Sequence, residues 1–180
     1  MSETAQDERV AVYAGSFDPP TKGHAYMIQQ GAALFDRLVV AVGVNPDKST
    51  AFSLAERLDL LRRLSADLPQ VTVESFESQF LIRFAAQRGA RYLLRGIRNG
   101  GDFEYERTLR NVNGDLEPGV QSVFLIPPRE LAETSSSFVK GLVGPEGWPE
   151  VVRGFLPTPV YEALLSRHGL GAEGDEFESR

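Results

Sequence analysis

Short continuous apolar runs alternate along the chain with stretches in which apolar residues recur every three or four positions. The first run, Val10-Ala11-Val12-Tyr13, lies in a strand expected over Arg9 to Ala14. It stops at Gly15 and the loop Ser16-Phe17-Asp18-Pro19-Pro20. A helix is predicted from Thr21 or Lys22 to about Phe35, with Tyr26, Met27, Ala33 and Leu34 facing inward. Leu38 to Val44 follows as a strand whose unbroken apolar character implies burial on both faces, as in a parallel sheet. After the loop Asn45-Pro46-Asp47-Lys48, Ser53 and Glu56 form a capping box that opens a helix carrying Leu58, Leu61 and Leu64.

The second half repeats the alternation. Val71 to Phe76 reads as a strand, and Gln79 to Arg88 as a helix capped by Gly89. Tyr92-Leu93-Leu94 is a short strand running into Arg95-Gly96, and Gly100-Gly101 precedes a helix from Asp102 to about Val112. Val120 to Ile126 is a fifth strand, and a helix opens at Thr134 or Ser135. Gly144 to Pro149 reads as a linker-like turn and Pro159 to Arg167 as a terminal helix. Five strands alternating with helices predict an α/β fold: a doubly wound, Rossmann-like, five-stranded parallel sheet with helices on both faces. One domain is expected over 9–168, between a flexible tail at 1–8 and an acidic flexible tail at 169–180.

Ligands of such sheets bind beyond the carboxyl ends of the strands. The chemistry-bearing residues gather there: Gly15 to His24 after the first strand, Lys48 after the second, Arg95 and Arg98 after the fourth, and Arg129 to Ser137 after the fifth.

Composition narrows the chemistry. The 180 residues contain no cysteine and two histidines, His24 and His168, which removes thiolate chemistry and argues against a histidine-rich zinc site. His168, near the tail, reads as incidental, and Arg9, Arg37, Arg62, Arg63 and Arg88 as solvated charges. A net charge of −6 makes a general nucleic-acid binder a poor fit, so an anionic ligand needs a local basic cluster. No run is long enough to span a membrane, and Met1 to Glu8 is polar and acidic, unlike a signal peptide; a soluble, cytoplasmic protein is expected.

The loop Gly15-Ser16-Phe17-Asp18-Pro19-Pro20-Thr21-Lys22-Gly23-His24 opens a helix and exposes backbone N–H groups to an anion. Gly23 lets a phosphate approach the first turn. His24 can hydrogen-bond phosphate oxygens or, when protonated, neutralise their charge. Neither G-x-x-x-x-G-K-[ST] nor G-x-G-x-x-G is present. Arg95 and Arg98, three apart at a strand end, form a two-pronged anion clamp. Ser135, Ser136 and Ser137 enter a helix and offer hydroxyls and amides to phosphates.

Gly15-Ser16-Phe17-Asp18-Pro19 with Gly23-His24 resembles the nucleotidyltransferase superfamily marked by [HT]-x-G-H, and Thr21 at its first position resembles the phosphopantetheine adenylyltransferases. Arg95-Gly96-Ile97-Arg98 with Asp102 to Glu106, Ser122 to Leu125, and Ser135 to Lys140 extend the resemblance over about residues 10 to 165. The resemblance implies transfer of the adenylyl group of ATP to 4′-phosphopantetheine, giving dephospho-coenzyme A and pyrophosphate. It implies catalytic roles for His24, Lys48 and Arg98, and ATP contacts from Gly15, Ser16, Phe17, Gly23, His24, Arg98, Tyr105, Glu106 and Ser135 to Ser137. It also implies acceptor contacts from Ser16, Lys48, Arg95 and Asn113, and a homo-oligomer, a hexamer. No carboxylate pair reads as a metal cage, so the expected Mg2+ is held mainly by the triphosphate.

The chain departs from the family pattern at Ser16, Ala14, Gln79 to Phe84, Val112-Asn113 and Gly144 to Pro149. Those departures sit on the acceptor side. They motivate an alternative acceptor such as nicotinate mononucleotide; a non-catalytic nucleotide-binding regulator is the other alternative.

Overall fold

The computed structural model of the chain describes residues 8–132 and 134–170. The tails expected over 1–8 and 169–180 lie outside the described residues apart from Glu8, Gly169 and Leu170. Five strands, β1 (Val10–Gly15), β2 (Arg37–Val44), β3 (Val71–Glu77), β4 (Tyr92–Gly96) and β5 (Gln121–Leu125), form one all-parallel sheet in the order β3-β2-β1-β4-β5. The order reverses direction between β1 and β4. A doubly wound sheet opens a ligand crevice at such a point.

Alternation along β1 assigns its side chains to two cores. Ala11 and Tyr13 join Met27 and Ile28 of α1 (Lys22–Leu34) and Leu61 of α2 (Leu54–Leu64). Val10 and Val12 join Ile82, Phe84 and Ala85 of α3 (Leu81–Gln87), with Leu116 of α4 (Gly100–Leu116) packed against them. Helices therefore cover both faces, as expected. Leu38 to Val42 are fully buried, which is why that run shows no polar alternation. A third cluster joins Phe52 and Leu60 to α5 (Ser136–Leu142), α6 (Trp148–Arg153) and α7 (Thr158–Arg167).

Four expectations change. The α1 stripe facing the sheet is Met27, Ile28, Gly31 and Ala32; Ala33 falls on the other side of the 3.6-residue turn, and Leu34, the last residue of the helix, is exposed. Gly144 to Pro149 contains the start of α6: Gly147 takes a left-handed φ of 77°, Pro149 fits the first turn, and Trp148 is buried. The ring of His168 packs edge-on against Trp148 at 5.1 Å. The fourth change is at Arg88, which pairs with Glu74 and stacks over Phe84 at 4.7 Å.

Candidate active site

A cavity of about 310 Å3 opens beyond the carboxyl ends of β1 and β4. The start of α1, the start of α4 and the segment leading into α5 complete its walls, and His24, Arg95, Arg98, Tyr105, Glu106, Ser135 and Ser136 line it together.

Thr21 builds the α1 wall. Its side chain accepts from the backbone N–H of His24, and its own backbone N–H donates to His24 Nδ1 at 2.9 Å. An amide N–H can only donate, so Nδ1 is the acceptor and the neutral imidazole carries its proton on Nε2. Burial, aided by the Arg98 guanidinium, pushes His24 down from 6.5 to about 4. The ring is therefore neutral at pH 7 in the free protein. It acts as an N–H donor there, rather than the cation that the sequence also allowed. Phe17 holds it edge-on at 5.0 Å.

Gly23 is required by close approach: a Cβ there would press into the side chain of Thr134. Thr134 is buried and donates to the Leu131 carbonyl at 2.7 Å, so it has little freedom to yield.

The two arginines are not bare cations. Arg95 pairs with Glu106, donating from Nε at 2.8 Å, and reaches the Ala14 carbonyl at 3.4 Å. Arg98 pairs with Asp102 at 3.0 Å, one turn into α4. A ligand phosphate must compete for donors already committed to carboxylates.

The remaining expected residues are placed differently. Ser16 is exposed on the loop, and Gly15 ends β1 without facing the cavity. Phe17 is fully buried in the core, which leaves a ligand none of its surface. Lys48 sits in an exposed turn closed by its N–H to the Asn45 carbonyl, away from the cavity wall. Ser137 is exposed beyond Ser136. Asn113 lies seven residues past Glu106 on α4, about 10 Å farther along the helix.

Sequence reasoning passed over the groups that tie these loops together. Asp18 is buried and accepts from the backbone N–H groups of Ala51 and Phe52 and from Lys140 Nζ. Arg57, also buried, donates to the carbonyls of Ser16 and Ser53. Its signal was available: Arg57 falls three and four residues before Leu60 and Leu61, a charge on the apolar face of α2. Ser136 Oγ donates to the Pro19 carbonyl at 2.8 Å.

A parallel sheet with an arginine- and histidine-lined cavity at its reversal point defines a nucleotidyltransferase-like α/β domain, and residues 12–141 match the cytidylyltransferase-like family model. A phosphopantetheine adenylyltransferase of Chromobacterium violaceum is 54% identical over 158 residues, 88% of this chain and 96% of that protein. One from Neisseria meningitidis serogroup C is 51% identical over 89% of this chain and 94% of its own, and one from Desulforudis audaxviator 40% over 92% and 99%. The chain belongs to the phosphopantetheine adenylyltransferase family. Its fold is also that of the nicotinic acid mononucleotide adenylyltransferase of Plasmodium falciparum, at a TM-score of 0.63 and 12% identity over 92% of this chain and 100% of that one.

Proposed function

We propose that this protein transfers the adenylyl group of ATP to 4′-phosphopantetheine, releasing pyrophosphate and dephospho-coenzyme A. The observation that carries the proposal is the convergence of His24, Arg95, Arg98 and the start of α1 on one cavity, in a chain sharing 54% identity with a relative of that name.

The chemistry asks for placement of charge. A phosphate oxygen of the acceptor attacks the α-phosphorus of ATP, the bond to the β-phosphate oxygen breaks, and pyrophosphate leaves. The acceptor phosphate is already ionised near neutral pH, so no base is needed to create the nucleophile. What remains is to hold two polyanions in line and to meet the charge that develops in the transition state. His24 Nε2–H would donate to the α-phosphate, Arg98 would bind the triphosphate, and Arg95 the acceptor phosphate. Ser135 and Ser136 would face the outer phosphates, with Ser137 beside them. Tyr105 and Glu106 would flank the adenosine. Ser16 and Lys48, on exposed loops, and Asn113, on α4, would contact the acceptor.

Magnesium belongs to the same proposal. The cavity carboxylates Asp102 and Glu106 are committed to arginines, which supports an ion carried by the triphosphate, where it would neutralise phosphate charge. A single domain over 9–168, a cytoplasmic location and a hexameric assembly complete it. The six-fold count comes from the family resemblance alone; α4, with Phe103 and Val112 exposed, offers a face on which copies of the chain could meet.

The test is pyrophosphate release from ATP with 4′-phosphopantetheine, pantetheine and nicotinate mononucleotide offered separately. Turnover of the first alone is expected. Turnover of nicotinate mononucleotide without phosphopantetheine would overturn the acceptor.

A further inference from the structure

Tyr13 lines the cavity, yet no motif picks it out. It is the fourth residue of β1 and pairs in register with Leu94, the residue before Arg95. The residue is only 7% exposed, its ring is fixed edge-on to Phe17 at 5.5 Å, and it still lines the cavity. Among the described residues no hydrogen-bond partner is found for its hydroxyl. A phenol that lines an open cavity takes its partner from water or a ligand there.

We propose that the Tyr13 hydroxyl is a fixed hydrogen-bond donor to the acceptor's phosphate monoester, working beside Arg95; this rests on the function proposed above. One observation favours the acceptor's phosphate over ATP: Arg95 reaches the carbonyl of Ala14, the residue after Tyr13, beside the cavity that Tyr13 and Arg95 both line. Burial pushes the phenol well above its ordinary range, against the opposing pull of Arg95 and Arg98. The group therefore stays protonated across working pH. It offers an O–H to a phosphate without adding a negative charge to an anion site.

Tyr13→Phe tests the proposal in the full chain, because it keeps the ring and removes only the hydroxyl. The expected result is a rise of about ten- to a hundredfold in KM for 4′-phosphopantetheine, the scale of one hydrogen bond to a charged group. The dissociation constant of ATP should stay within about twofold. The thermal midpoint should be nearly unchanged, since Phe fills the same space. If KM for the acceptor stays at the wild-type value while both proteins turn over, the hydroxyl has no part in acceptor binding and the proposal falls. If ATP affinity drops instead, the donor serves the nucleotide side and the proposal is equally overturned. Calorimetric titration of the acceptor gives the same decision where turnover of the variant is too slow to measure. Absence of wild-type turnover with phosphopantetheine would overturn the proposed function itself, and this donor role with it.

Discussion

Asp18 and Lys140 lie 122 residues apart in the chain, and the Lys140 ammonium donates to the Asp18 carboxylate at 2.8 Å. The same carboxylate takes the N–H groups of Ala51 and Phe52, so one buried side chain joins the loop after β1, the loop after β2 and α5. Those three segments carry Ser16, Lys48 and Ser136. Asp18 is a positioning residue for all of them.

Asp18→Ala should cost about 3 kcal/mol in urea unfolding, because it strips a buried charge pair and two amide acceptors at once. Lys140→Met should cost less, about 1–2 kcal/mol, since the two amides remain and Lys140 is itself partly exposed. Burial raises the Asp18 carboxyl, but Lys140 and the two amides together hold it below its ordinary 3.8. A lowered carboxylate contributes fully above its unfolded value and loses that contribution as pH falls through the folded one. The stability gap between wild type and Asp18→Ala should thus be flat from pH 7 to about 5 and should close below 3.8. A gap that grows in acid would rule out Asp18 as an ionised clasp.

His24→Ala should lower kcat about a hundredfold and leave ATP binding nearly intact, since the Nε2–H contact gains most as phosphate charge develops. Stability gives a second signature. His24 is held at about 4 against 6.5 unfolded, so between those values the unfolded chain binds a proton that the folded chain refuses. Stability then falls as pH drops through that window, at up to about 1.4 kcal/mol per pH unit for one group. His24→Gln should lack that share of the slope. Equal slopes for both proteins between pH 6.5 and 4 would refute a neutral, buried imidazole.

Much of the architecture was legible because each strand is a short apolar run and the capping box at Ser53-Glu56 is a local signal. The loop from Gly15 to His24 was legible for the same reason: a turn and a helix start are written in neighbouring residues. What could not be read was pairing at a distance. Asp18 looks like one more loop acid until Lys140 and the Phe52 amide arrive from elsewhere in the chain. Arg95 and Arg98 look like free cations until α4 folds Glu106 and Asp102 against them. Phe17 sits within the motif, yet its fully buried ring belongs to the core.

The Arg95–Glu106 pair sets up a discriminating double mutant. Arg95→Ala should raise KM for the acceptor a hundredfold or more, because it removes a charge-assisted donor and leaves the largely buried Glu106 carboxylate, between the adenosine and the acceptor, without its partner. Arg95→Ala with Glu106→Gln should recover about tenfold of that loss by removing the repulsion alone. If the double variant is no better than the single one, Glu106 does not face the acceptor phosphate.

Gly23→Ala sets helix propensity against packing. Gly23 is the second residue of α1, and by propensity alone an Ala in a helix is worth up to about 1 kcal/mol over Gly. The structure reverses that sign. The new methyl would overlap Thr134 Oγ1, which is buried and anchored to the Leu131 carbonyl. Relief requires the start of α1 to move away from the Leu131–Ser136 wall, and that movement separates His24 from Ser135 and Ser136. The single variant should therefore melt below wild type and lose activity together with it. Thr134→Ala removes the obstructing oxygen; its own Cβ lies 3.6 Å from the new methyl, an ordinary contact. Gly23→Ala combined with Thr134→Ala should then be more stable than the sum of the two single changes, by at least about 1 kcal/mol in a double-mutant cycle. Additive effects in that cycle, or a Gly23→Ala protein that melts above wild type, would show that Gly23 is not held by contact with Thr134.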